Sequence, residues 1–142
     1  MRILIWTMGL AAALAAVVVA ATEGEVEYRQ HTMQAVGGHM QAAVDILRQK
    51  VTHSDHMSLH ADALADLSEI LPSLFPEGSD GGDALPEIWE DPENFAERLS
   101  AVRDAAVGFS SAAGSTDMAA LGEAFQALGQ ACKGCHDNYR AE

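Results

Sequence analysis

The sequence predicts an all-α fold, an antiparallel four-helix bundle, and three observations carry that prediction. Four stretches beyond residue 21 set apolar or small side chains at alternating steps of three and four, the seam of a helix that packs on other helices. No run of β-branched residues alternates with polar ones. Aromatic residues make up only 6% of the 142, which suits closely packed helices better than a sheet. A chain of this length builds one modest core.

The N-terminus stands apart. Met1-Arg2 opens with a positive charge, Ile3 to Val19 is almost wholly apolar, and Val19-Ala20-Ala21 ends in small residues. That is the layout of a secretory leader, cleaved after Ala20 or Ala21. The apolar run is also about as long as a membrane-spanning helix, but its alanine-rich, small-residue ending favours cleavage. Residues 1–21 are therefore read as a signal peptide and 22–142 as the exported domain, with no membrane association after cleavage. The formal net charge of −13 becomes −14 without Arg2. So acidic a surface argues against nucleic acid or anionic membrane as partner, since both need basic patches.

The first helix is expected from about Glu25 to Val51, with Met33, Gly37, Met40, Val44, Leu47 and Val51 on its seam. Gly37-Gly38 inside it costs about 1 kcal/mol per glycine, which a bulky partner or a close helix crossing would explain. Ser54 or Asp55 can cap the second helix, expected over about His56 to Ser73 with Leu59, Ala63, Leu67, Ile70 and Leu71 on one face. A long connection follows, Leu74 to Pro92. Its Phe75, Leu85, Ile88 and Trp89 are expected to fold back over the core, and loops this long in small domains are usually functional or ordered by a ligand.

The third helix is expected over about Pro92 to Ala113. Asp91 is a cap, Pro92 suits the first helical position, and Phe95, Leu99, Val102, Ala106, Phe109 and Ala113 form the seam. The brief Gly114-Ser115-Thr116 turn, with Ser115 or Thr116 as cap, makes the next helix an antiparallel neighbour. That fourth helix, about Asp117 to Tyr139, has Met118, Leu121, Phe125, Leu128, Cys132, Cys135 and Tyr139 on its inward face.

The chemistry is concentrated in Cys132-Lys133-Gly134-Cys135-His136. C-x-x-C-H reads as a c-type haem attachment site, in which each thiol forms a thioether to a vinyl group and the adjacent imidazole binds the iron. Two cysteines so spaced also serve as a redox dithiol or half of a zinc site. A structural zinc site wants four ligands, and these are the only cysteines; a thioredoxin-like dithiol wants βαβ surroundings. An export signal and haem attachment support each other, because bacterial thioether formation takes place outside the cytoplasm.

A four-helix domain with C-x-x-C-H on its last helix resembles the cytochrome c′ family, the class II c-type cytochromes. Three strings carry the likeness: Glu27 to Met33, Gly81 to Trp89 and Cys132 to Arg140. The resemblance implies one covalent haem c in a periplasmic protein that is not an enzyme, with Cys132 and Cys135 as thioether anchors and His136 as the axial iron ligand. It implies haem contacts for Arg29, near a propionate, and for Gln30 and Asp83, with Arg140 flanking the proximal imidazole. Without the resemblance, Arg29 would be a solvated helix charge, Asp83 a turn residue and Arg140 a cation favoured at a helix C-terminus.

Met33 matches the residue that the family sets over the open face of the iron. As an apolar plug it would leave the iron five-coordinate, to bind small gases such as nitric oxide or carbon monoxide. As a thioether ligand it would give a low-spin electron carrier like cytochrome c-556, with a raised potential and a redox partner protein. On spacing alone Met33 is a core residue. The family commonly forms homodimers through its first two helices, which leaves oligomeric state open. His31 and His39 read as surface histidines; His53, His56 and His60 cluster at the second helix, where solvation or adventitious metal binding is the expectation.

Overall fold

The computed structural model describes the backbone of residues 4–142 and the side chains of residues 22–142. The expected leader, residues 1–21, lies outside the fully described residues. The α-helices run Leu4–Leu47 (α1), Met57–Ile70 (α2), Glu87–Glu90 (α3), Pro92–Ala113 (α4) and Met118–Tyr139 (α5). The bundle is made of α1, α2, α4 and α5, and α3 is a single turn inside the long connection. Among the described residues no helix is long and apolar enough to cross a membrane.

The helix starts follow their caps. Asp91 accepts from the Asn94 backbone N–H, with Pro92 in the first turn. Asp117 accepts from Ala119 and Ala120, so the cap of α5 is not Ser115 or Thr116. Ser115 Oγ instead accepts from Asp117 N at 3.0 Å, which orients the capping residue itself. At α2 neither Ser54 nor Asp55 caps: both lie in a 3₁₀ turn, Ser54–His56, and His56 precedes the helix without a side-chain cap bond.

The seam of α4 is as expected, with Phe95, Leu99, Val102, Ala106 and Phe109 all buried. The seam of α2 is turned from the expected face. Met57, Ala61, Leu64 and Ser68 are buried, while Leu59 is 61% exposed. Ser68 tolerates burial because its hydroxyl donates to the Ala65 carbonyl at 2.6 Å, meeting its hydrogen-bonding need within the helix. On α1 the helix ends at Leu47, and Val51 is exposed beyond it. A Cβ built on Gly37 or Gly38 meets nothing within 4 Å, so no close helix crossing explains these glycines.

The core runs α1 on α2, α2 on α4 and α4 on α5, while α1 and α5, the pair that would complete the ring, are not closely packed. The long connection spans them at one end. It folds over the core as expected, with Ile88 buried and Phe75 and Trp89 packed against it. Phe75, Phe95 and Tyr139 meet edge to face in succession, each pair with centroids 4.9 Å apart. Tyr139 donates to Asn94 Oδ1 at 2.8 Å, closing α5 onto the start of α4.

Candidate functional site

The site grows from the end of α5. Helical spacing turns Cys132 and Cys135 toward the core, where both are half-buried and packed against it. Lys133 faces outward and pairs with Asp137 at i, i+4. Burial raises both thiol pKa values, and Cys135, next to Cys132 and only partly relieved by the Arg98 guanidinium, rises to about 11. A redox dithiol needs an accessible thiolate of lowered pKa, so this environment disfavours that use. His136 is exposed at the helix end. Desolvation and then the Arg140 charge lower its pKa, against the opposing Asp137. A neutral imidazole, the form that ligates a metal, is thereby favoured.

The connection ties α5 to α1. Leu85 N donates to the Tyr139 carbonyl at 3.1 Å, Ala141 N donates to the Asp83 carbonyl at 2.9 Å, and Ala84 bridges to Arg140. Asp83 and Arg140 thus lie side by side at the C-terminal end, both exposed. On the other side Gly81 and Gly82 approach α1 against Val26 and Gln30. Gly82 has φ +59°, and a Cβ there would lie 2.6 Å from Gln30 Nε2. Val26, Gln30, Asp80 and Gly81 help line an open concavity of about 460 Å³.

Arg29 is only 5% exposed, and no solvated helix charge. Its Nη1 donates to the Leu74 carbonyl at 3.1 Å and to Ser79 Oγ at 3.2 Å. Its Nη2 donates to the Ser79 and Gly81 carbonyls, both at 3.0 Å. The guanidinium carbon stands 5.1 Å from the Phe75 ring centroid. The four Nη hydrogens are therefore committed to the connection, leaving Nε–H for any propionate. Met33, one turn further along α1, is half-buried against the core; Val26, Gln30 and Met33 share a helix face by their i, i+4, i+7 spacing.

These residues fit a haem. Two thiols on one inner helix face, a neutral imidazole beside them and half-buried apolar side chains on α1 and α5 flank the pair of helices that do not pack closely. A flat apolar group placed there would complete the burial of Met33, Cys132 and Cys135. The structure sets Arg29 against Ser79 and Gly81 and Gln30 against Gly82, in the connection that also carries Asp83, and brings Asp83 beside the chain end at Arg140 and Ala141. Sequence reading missed Arg98, whose Nη1 would lie 3.9 Å from a Cβ on Gly134, and the buried Ser79. Arg98 stands beside Leu99 on α4, where it reads as an ordinary exposed cation. Ser79 shows no signal in a loop of glycine and acid. His39, expected at the surface, is half-buried and bonded to His60.

Comparison with known proteins is consistent with this geometry. A family model described as Cytochrome C' matches residues 24–140. A cytochrome c′ of Pararhodospirillum photometricum is 36% identical over 124 residues, covering 85% of this chain and 99% of its own length. A cytochrome c-556 of Agrobacterium tumefaciens is 34% identical over 122 residues, covering 82% and 97%. Among solved structures, a nitric oxide complex of a cytochrome c prime mutant from Alcaligenes xylosoxidans superposes with a TM-score of 0.79 at 32% identity, covering 85% of this chain and 97% of that one.

Proposed function

Because this chain belongs to the cytochrome c′ family, whose members carry covalently attached haem c, we propose that it is a periplasmic gas-binding haem protein, exported by residues 1–21 and holding nitric oxide or carbon monoxide beneath Met33. When bound, the haem supplies an iron that takes up small neutral ligands and exchanges single electrons. Cys132 and Cys135 hold the group by thioether bonds from the inner face of α5. His136 would hold the iron through its neutral imidazole. Met33 would exclude water by bulk and give way to a diatomic ligand. Gln30, Asp83 and Arg140 would border the group, and Arg29 would act indirectly by holding the connection.

The observation that carries this reading is the half-buried Met33 against the core, on the α1 face toward which Gln30 and the connection converge. The nitric oxide complex of a relative supports it. A second reading has its own support in the methionine itself and in the cytochrome c-556 relative: Met33 ligates through sulfur and the protein carries electrons to a partner. The optical spectrum of the ferrous protein decides. The gas-binding reading expects high-spin bands that shift on adding carbon monoxide, and a low-spin spectrum indifferent to carbon monoxide would overturn it. Met33→Ala then sharpens the choice: a plug, once removed, leaves the spin state high and speeds ligand binding about tenfold or more, whereas loss of a ligand converts low spin to high.

A further inference from the structure

The contact between α1 and α2 holds a second cluster of metal-ligating side chains, which the haem chemistry does not use. His39 on α1 and His60 on α2 turn their Nδ1 atoms to within 3.0 Å of one another, with ring centroids 5.2 Å apart and planes inclined at 57°. His56 lies one helical turn before His60. It adjoins His53 and Asp55, and the ligand atoms of those three residues all lie within 4.8 Å of one another. Four of the six histidines of the chain therefore gather at one end of one helix pair.

We propose that His39 and His60 form a two-histidine binding site, completed by water, for a divalent transition cation of the nickel and copper class. Imidazole nitrogens bind such ions at about 2.0–2.1 Å. Two cis nitrogens at a right angle are then ~2.9 Å apart, and two at a tetrahedral angle ~3.4 Å. The observed 3.0 Å matches the right angle of tetragonal or octahedral ions, which nitrogen ligands of intermediate softness favour over magnesium or calcium. The negative net charge of the chain concentrates cations at its surface. Bound there, the ion would clamp α1 to α2.

The test is calorimetric titration of the untagged haem-loaded protein with Ni²⁺, and with Mg²⁺ as control. The expected result is one Ni²⁺ per chain in the micromolar range or tighter, no Mg²⁺ binding, an unchanged haem spectrum and a raised thermal midpoint. His39→Ala and His60→Gln should each weaken binding at least tenfold with unchanged helical circular dichroism. His53→Ala should leave it within about twofold. If His39→Ala and His60→Gln bind as tightly as the parent, or if His53→Ala alone abolishes binding, the ion sits on the exposed trio and the proposal fails. Absence of Ni²⁺ binding at 100 µM overturns it as well, reducing the His39–His60 contact to a hydrogen bond between opposite tautomers.

Discussion

Arg29 concentrates what one residue does for this protein. Read by its spacing it is a cation on the first helix, and by likeness a partner for a propionate. In the fold it is buried and commits its four Nη hydrogens to Leu74, Ser79 and Gly81. That could not be read from the sequence, because three of the four acceptors are carbonyls 45 to 52 residues away, and every residue has a carbonyl. Removing the guanidinium strands those carbonyls in a place water reaches poorly, and hydrogen bonds to a charged group contribute about 1.5–3 kcal/mol each. Arg29→Leu should therefore destabilise the protein by about 3 kcal/mol in urea denaturation. A merely solvated charge would change stability by less than about 0.5 kcal/mol. His39 teaches the same lesson: its partner is on another helix, and only the rotation of α2 brings His60 to it.

At the scale of elements, legibility followed how far the side chains settle the burial pattern. The α4 seam could be read because five large or small apolar residues repeat without a competitor. On α2 two stripes compete, and Leu59 looks as good as Met57 until the hydroxyl of Ser68 is seen to satisfy itself within the helix. Caps behave similarly. Asp91 stood next to a proline and was legible, while Asp117 was obscured by Ser115 and Thr116, which are equally good formers. Since Asp117 serves two backbone N–H groups, Asp117→Ala should cost about 1 kcal/mol, read as a lower thermal midpoint, and Thr116→Ala should cost little. The connection gives a steric test. Gly82→Ala forces a side chain into a left-handed backbone and against Gln30, at about 1–2 kcal/mol, with Gln30→Ala in the same chain restoring part of the loss by removing the clash.

Over the whole molecule the packing is an incomplete ring. The helices α2, α4 and α5 support one another in sequence, whereas α1 rests on α2 and is held to the rest by the connection that Arg29 clamps. The C-x-x-C-H motif was legible in five residues, but the loose packing of α1 against α5 was not, because it is a property of four helices at once. A haem held between them would be part of the tertiary structure rather than an addition to it. Hydrophobic burial of about 25 cal/mol per Å² on the inner faces of α1 and α5 would depend on haem being bound, and anything that binds only the folded chain stabilises it. A Cys132→Ser, Cys135→Ser double variant, which cannot form thioethers, should lose haem on denaturing extraction. In its haem-free form, amide hydrogen exchange should rise first in the α1 segment beyond residue 24, while α4 stays protected through Leu99, Val102, Ala106 and Phe109. Local openings of this kind track how few buried contacts hold an element. Uniform exchange across all four helices would mean that the ring has no weak side and that α1 is held by more than α2 and the connection. Protection of α1 equal to that of the haem-loaded protein would mean that the haem adds nothing to its packing.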